Sequence, residues 1–161
     1  MIPFPGLPKL LLSTAHLVNL FLLNVPHSGY FSPEAMATCL SMLTSLELLY
    51  FMFESPQSCP DQETRHSPPP TRSVLPALTT FWFKGVNEYL EELVARIDTP
   101  RLCQLMTACF NDIDFDTPEL IRLVSCSSTL KAPDGAHVLF STQGASVKLQ
   151  PQASDVGEFQ V

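Results

Sequence analysis

The 161-residue sequence has few basic residues, few glycines and no long apolar run, and each shortage excludes a class of protein. Nine Lys and Arg face sixteen Asp and Glu, a net charge of −7 without any local basic cluster, which argues against a nucleic-acid partner. No run of about 20 apolar residues is present to span a membrane. At 45% hydrophobic residues, the composition predicts a soluble globular domain with one core.

Motifs for catalysis or metal binding are also missing. With six glycines, the sequence has no phosphate-cradling loop and no G-x-S-x-G motif, and its four histidines fit no catalytic pattern. Asp112, Asp114 and Asp116 alternate as at the start of a calcium loop, but Thr117 and Leu123 replace the glycine and glutamate that such a loop needs. We therefore expect a protein that is not an enzyme, with no catalytic, metal or cofactor-binding residue and no cofactor.

The five cysteines are odd in number and scattered, mostly inside apolar segments where a reduced thiol acts as a small hydrophobic group. The apolar N-terminal region carries one early positive charge, Lys9, and Ser13 and Thr14 interrupt it, which does not fit a secretory signal. These features predict an intracellular protein, cytoplasmic or nuclear.

One spacing of apolar residues recurs along the chain. The residues from Leu78 to Val86 follow L-x-x-L-x-L-x-x-V, typical of a bent strand with one buried side, and residues 89–97 follow at helical spacing. The strand pattern recurs at offsets of 29 (46 − 17), 32 (78 − 46) and 24 (102 − 78), as in leucine-rich repeats, where a strand and a helix form each unit. The predicted buried strand positions are Leu17, Leu20, Leu22 and Val25; Leu46, Leu49 and Phe51, with Glu54 in the fourth place; Leu78, Phe81, Phe83 and Val86; and Leu102, Leu105, Thr107 and Phe110.

Two helix starts share one capping pattern. Ser32-Pro33-Glu34 and Thr117-Pro118-Glu119 each place a hydroxyl at the N-cap, proline in the first turn and an acid near the positive end of the helix dipole. Helix positions Met36, Leu40 and Leu43 are predicted to be buried. The recurrence of the cap supports the repeat independently of the strand pattern.

The repeat is interrupted twice. Residues 55–73 are rich in proline and polar residues, which predicts a surface-loop insertion in place of a helix. An alternative interpretation is that the run Ser67 to Pro70 is a polyproline II segment that docks into a partner. Pro133-Asp134-Gly135 falls where the last strand should continue, so this unit is predicted to be damaged or terminal. Residues 136–140 still have strand character, and residues 147–149 could add an edge strand.

These patterns predict one α/β domain over residues 1–150, followed by a loose tail over residues 151–161. The expected architecture is an irregular leucine-rich-repeat-like solenoid of about four to five units, with a short parallel sheet on one face and helices on the other. Residues 55–73 form the proline-rich loop insertion.

The residues flanking each central strand leucine point away from the core and are mostly apolar. Side by side they would form an aromatic and methionine stripe of the kind that marks a protein-partner site. A one-residue shift in the pattern would instead bury this stripe, and the tail after Pro151 could also cover it. The predicted partner-binding residues are Phe21, Leu23, Tyr50, Met52, Trp82, Lys84 and Met106.

Three sequence segments are distinctive: LPALTTFWFKGVNEYLEELVARIDTPRLCQL, FNDIDFDTPELIRLVSCSSTLKA and AHVLF. They resemble the leucine-rich C-terminal region of a large family of F-box proteins of mushroom-forming fungi, over roughly Ser28 to Phe140. The resemblance implies a leucine-rich-repeat domain that acts as the substrate or partner receptor of a ubiquitin ligase. The F-box itself is missing, so a ligase adaptor is not an expected partner, and Pro133-Asp134-Gly135 departs from the family pattern. Two alternatives stay open, a small hydrolase on a repeat scaffold and a truncated fragment without function.

Overall fold

The computed structural model describes residues 16–56, 71–110, 117–128, 130, 135–141 and 144–150. The strands and helices of these segments are, in chain order, β1 (Asn19–Val25), α1 (Pro33–Ser41), β2 (Leu48–Phe53), β3 (Ser73–Val74), β4 (Thr80–Gly85), α2 (Asn87–Val94), β5 (Ile97–Asp98), β6 (Gln104–Cys109), α3 (Pro118–Cys126), β7 (Gly135–Ser141) and β8 (Gly144–Gln150). A single 3-10 turn, His27–Gly29, connects β1 to α1.

Six strands form the larger sheet in the order β1-β2-β4-β6-β8-β7, and β3 and β5 form a separate parallel pair. The pairs β1-β2, β2-β4 and β4-β6 are parallel, whereas β8 is antiparallel to both of its neighbours. The chain passes through α1 between β1 and β2 and through α2 between β4 and β6, as parallel connections generally require. The predicted α/β class is confirmed, with a six-stranded, mostly parallel sheet and three helices in the described segments.

The strand register reproduces the spacings found in the sequence. Leu20 pairs with Leu49, Leu49 with Phe81, and Phe81 with Leu105, which are offsets of 29, 32 and 24 residues. Each of these four side chains is buried against the helices. Equivalent apolar positions therefore lie side by side, and the predicted register of these four strands is confirmed.

The last inward position of three strands differs from the prediction. In β2 it is occupied by Phe53, which is buried, while Glu54 is exposed; in β4 it is occupied by Gly85, and Val86 is only partly buried. In β6 it is occupied by Cys109, which pairs with Gly85, while Phe110 is only partly buried and lies under Lys84. The strand period of two simply continues to the end of each strand, without the extra residue that the template assumed. β1 does contain that residue, because a bulge at Asn24, with φ of 52°, shifts the register and lets Val25 point inward.

The start of α1 follows the predicted cap. Ser32 Oγ accepts a hydrogen bond from the backbone N–H of Ala35 at 3.2 Å, and Pro33 opens the helix. Met36, Leu40 and Leu43 are buried as predicted. α2 likewise buries its apolar stripe, although Ile97 at the end of that stripe belongs to β5 and no longer to the helix.

The start of α3 differs from the predicted cap. The helix begins at Pro118, but the Thr117 side chain makes no capping hydrogen bond. The carboxylate of Glu91, on α2, instead accepts hydrogen bonds from the backbone N–H groups of Glu119 (2.9 Å) and Leu120 (3.0 Å). An acid from the preceding helix satisfies the free N–H groups and lies at the positive end of the dipole, so the two helices are joined at this end.

The C-terminal end of the sheet corrects the expected all-parallel arrangement. Residues 136–140 do pair, as predicted, but within a β7-β8 antiparallel hairpin. Residues 147–149 are part of β8, which lies between β6 and β7 and is not an edge strand. The loop insertion also ends earlier than predicted, because Ser73 pairs with Ile97 in the small sheet. Several predicted features lie outside the described residues: Pro133 and Asp134, residues 57–70 of the insertion with its polyproline segment, Asp112, Asp114 and Asp116, and the tail 151–161.

An aromatic cluster fills the core between the sheet and α2. The ring of Tyr89 lies among those of Phe51, Phe53 and Phe83, with centroids 5.5, 4.9 and 5.9 Å away. These four side chains are at most 1% exposed. The cluster holds the centre of the sheet against the helices and fixes which strand faces remain outside.

Candidate functional site

The open face of the larger sheet, the side opposite the three helices, holds the predicted partner-binding residues. Phe21 on β1 pairs with Tyr50 on β2, Tyr50 with Trp82 on β4, and Trp82 with Met106 on β6. These four residues, which we call the aromatic row, cross four adjacent strands in one line. Their inward-facing neighbours are the buried core residues, so the one-residue shift that would have buried the stripe is excluded.

The aromatic rings of this row overlap one another. The ring centroids of Phe21 and Tyr50 are 5.2 Å apart and those of Tyr50 and Trp82 are 5.4 Å apart, each pair tilted by 31°. Rings lying edge to edge in one plane would keep their centroids about 6 Å apart or more, because carbon atoms approach only to about 3.5 Å. The rings of adjacent strands are therefore partly stacked, which covers part of the surface of each ring.

A second line of side chains lies beside the aromatic row. Met52 pairs with Lys84, Lys84 with Ala108, and Ala108 with Ser146. The ammonium nitrogen of Lys84 lies 5.2 Å from the ring centroid of Phe110, a cation–π contact that holds the lysine near the sheet. Leu23 lies at the β1 bulge, outside the paired register. The structure thus brings six of the seven predicted residues into two adjacent lines and leaves Leu23 at the edge.

Exposure differs strongly along the face. Phe21 and Leu23 are 55% and 51% exposed, which is high for large apolar side chains. Tyr50, Met52, Trp82, Lys84 and Met106 are half-buried, because adjacent side chains cover one another's flanks. The apolar surface is therefore largest at the β1 end and passes toward polar residues at the other end.

Two polar residues of this face were not among the predicted partner-binding residues. Met106 pairs with Lys148 on β8, and Lys148 pairs with His137 on β7, so both residues extend the aromatic row. His137 is exposed on its strand. The alternation of Val147, Lys148 and Leu149 contained the signal for Lys148, but the position of β8 beside β6 was needed to place it on the face.

The charge on this sheet is of one sign. The six strands of the larger sheet contain no Asp or Glu, although the whole chain has sixteen. Their ionisable basic residues are Lys84, Lys148 and His137. The charged side chains that these strands place on the open face are thus lysines, on a protein whose net charge is −7.

A second charged group lies away from the open face, around α3. Arg122 binds Glu119 (2.8 Å), Asp98 (3.1 Å) and the carbonyl of Val94 (2.9 Å), and Arg72 binds Glu119 (3.2 Å). Burial would lower the pKa of Arg122, but the hydrogen bonds that it donates to Glu119 and Asp98 outweigh burial and raise that pKa. Each charge in this cluster has a partner within the protein, and the cluster ties α3 to the end of α2 and to β5.

The sulfur chemistry and the metal-binding potential of the described segments are limited. Burial raises the pKa of the Cys39 thiol, and burial together with the negative charge of Glu88 raises that of Cys109, so both thiols are poor nucleophiles at neutral pH. Within these segments no group of three His, Cys, Asp or Glu side chains is arranged to hold a metal ion. Among the described helices, none has the length and apolar character needed to cross a membrane.

Comparisons with known proteins give no match. No family model matches the chain, and neither does any curated protein or solved structure.

Proposed function

We propose that this protein is a non-enzymatic protein-interaction module on a leucine-rich-repeat-like scaffold. The scaffold is supported by four parallel strands in chain order, with equivalent leucine and phenylalanine positions in register at offsets of 29, 32 and 24 residues. In such a scaffold each unit buries its apolar side against its neighbours and leaves the outward side of the strands free for a partner. The resemblance to fungal F-box proteins points in the same direction, toward the receptor part of a ubiquitin-ligase subunit.

The observation that carries the proposal is the aromatic row. Phe21, Tyr50, Trp82 and Met106 lie in one line on the outward side of the sheet. Tryptophan and tyrosine are the usual energetic anchors of protein interfaces, because they bury a large area at a small loss of conformational freedom. These residues are not required for the hydrophobic core, because the side chains on the helix side of the same strands already form it.

The test is capture of partners by the intact chain and by two variants. Trp82→Ala should remove a central anchor, so we expect partners that use the face to be lost, with binding weakened at least about tenfold for a hot-spot residue. Ile121→Ala is the matched control, because Ile121 is a 60% exposed apolar residue on α3, away from the sheet. The measurement is affinity capture from an extract of a mushroom-forming fungus, quantified by mass spectrometry, alongside thermal melting of each variant.

The result has a clear contrary outcome. If Trp82→Ala lowers the melting temperature strongly, Trp82 acts as part of the core and the interface proposal fails. If the captured proteins are the same for Trp82→Ala and Ile121→Ala, the open face is not the partner site. Capture of ligase subunits through the Trp82-dependent face would add support for the receptor role, and their consistent absence would remove it.

A further inference from the structure

The charge of the open face restricts the kind of partner that it fits. Lys84 lies two residues from Trp82 on the same strand face, about 7 Å along β4, and Lys148 lies two strands away in the same line, about 10 Å. No carboxylate of the six strands neutralises these lysines. A ligand on the aromatic row therefore meets positive charge next to Trp82.

The polar groups of the aromatic row act in the same direction. The Tyr50 phenol and the Trp82 indole, both partly exposed, hold O–H and N–H groups that donate hydrogen bonds. A carboxylate accepts such hydrogen bonds, so these groups favour an acidic ligand.

We propose that the open face binds an extended acidic segment of a partner protein, with an aromatic or aliphatic side chain against the aromatic row and carboxylates toward Lys84 and Lys148. This inference rests on the function proposed above. From β1 to β8 the line spans four strand spacings, about 19 Å, which an extended segment of about six residues covers.

The experiment is a selection of short random peptides by mRNA display against the intact, immobilised chain. The enriched peptides should combine Asp or Glu with Trp, Phe or Leu. Synthetic copies of the enriched peptides are then measured by surface plasmon resonance. We expect Lys84→Gln and Lys148→Gln each to weaken binding about two- to fivefold, as for solvent-exposed ion pairs.

The matched control is Arg101→Gln, which removes one positive charge from an exposed position before β6 and outside the six strands. It should leave peptide binding unchanged within error. Raising NaCl from about 0.1 M to about 1 M shortens the Debye length from about 10 Å to about 3 Å and should weaken the acidic peptides. Equal effects of Arg101→Gln and the two lysine variants would overturn the local charge argument.

The remaining outcomes separate this inference from the proposed function. Peptides that depend on Trp82 but are neutral or basic would overturn the acidic partner and leave the interaction module standing. Peptides that bind equally to Trp82→Ala would overturn both. Concentration-dependent dimers abolished by Trp82→Ala would assign the face to a second copy and overturn the partner proposed here.

The chain itself offers one further occupant to be excluded, because the sequence of residues 151–161 includes Asp155, Glu158 and Phe159. A variant of the full chain with Asp155→Asn, Glu158→Gln and Phe159→Ala should bind the selected peptides as the unchanged chain does. If it binds them more than tenfold tighter, the face is occupied by the chain's own segment and the binding of a separate partner is overturned.

Discussion

Gly85 is the last inward-facing residue of β4, the position that Phe53 has in β2. A Cβ atom placed on Gly85 would lie 2.5 Å from Cζ of Phe83 and 2.9 Å from Cδ2 of Phe53. Both distances are shorter than carbon atoms tolerate, and both rings are held in the aromatic cluster of the core. Glycine is needed here for close packing, because any side chain would displace the rings.

Gly85→Ala is therefore expected to destabilise the protein by about 1 to 3 kcal/mol, the usual range for an overpacked core. The measurement is the free energy of unfolding in urea, followed by circular dichroism. Lys84→Ala is a suitable neighbour control, since the Lys84 side chain lies on the open face.

A double variant separates the clash from a general loss of stability. Phe83→Leu removes the ring atom that the new methyl group would meet, so Gly85→Ala should be less harmful in that background than in the unchanged chain. Strict additivity of the two substitutions would contradict the proposed contact.

At the scale of the elements, charged side chains bind the start of α3 and the end of α2 and so hold the two helices together. Glu91 accepts from two backbone N–H groups at the start of α3, while Arg72 and Arg122 donate to the carbonyls of Ala95 and Val94 at the end of α2. Both helix ends thus meet charge of the sign that their dipole favours. α3 is held to α2 by these contacts as well as by the buried side chain of Leu123.

Glu91→Gln should lower the free energy of unfolding by about 1 to 2 kcal/mol, because the amide keeps one acceptor oxygen and loses the charge and the second acceptor. Chemical denaturation measures this change. Glu88→Gln is the matched control, as the same substitution at an exposed position of the same helix, and should cost at most about 0.5 kcal/mol.

The two alternatives for the α3 cap give opposite results. Thr117→Ala should be almost neutral, because the Thr117 side chain makes no capping bond. A large loss of stability from Thr117→Ala, together with no effect from Glu91→Gln, would mean that the hydroxyl caps the helix as its sequence pattern suggested.

The strands and the helices were not equally predictable from the sequence. β1, β2, β4 and β6 follow from their alternating apolar residues, since a half-exposed strand must alternate. β3 and β5 have two residues each, too few to form a pattern. The cap from Glu91 depends on a residue 28 positions before Glu119 in the chain, and a local motif does not contain that information.

The candidate site was also predictable only in part. The alternation of inward and outward residues along each strand placed Tyr50 and Trp82 on the outward side, so the residues of the face could be predicted one strand at a time. The partial stacking of the rings depends on how adjacent strands are paired, and only the structure gives the distance between the ring centroids. Lys148 joins the face because β8 runs antiparallel beside β6, a pairing that the interrupted last repeat did not predict.

At the scale of the whole molecule, one continuous core extends from β1 to the segment after α3. Leu20, Phe51, Phe83, Leu123 and Leu130 belong to the same buried cluster. The parallel strands and the three helices share this cluster, so they should unfold together.

We therefore expect a single cooperative thermal transition, with equal calorimetric and van't Hoff enthalpies. Differential scanning calorimetry of the intact chain measures both values. Two separate transitions would divide the core into independent parts, and the absence of any transition would support the alternative of an unstable fragment without function.

Trp82 is the one tryptophan of the chain, and it lies at the centre of the open face with the Tyr50 ring 5.4 Å away. Intrinsic indole fluorescence consequently reports on a single patch of the molecular surface. A ligand that excludes water from this patch shifts the Trp82 emission to shorter wavelength. Energy absorbed by Tyr50 is transferred to Trp82 as well. The protein thus contains its own unlabelled optical sensor for whatever covers the sheet.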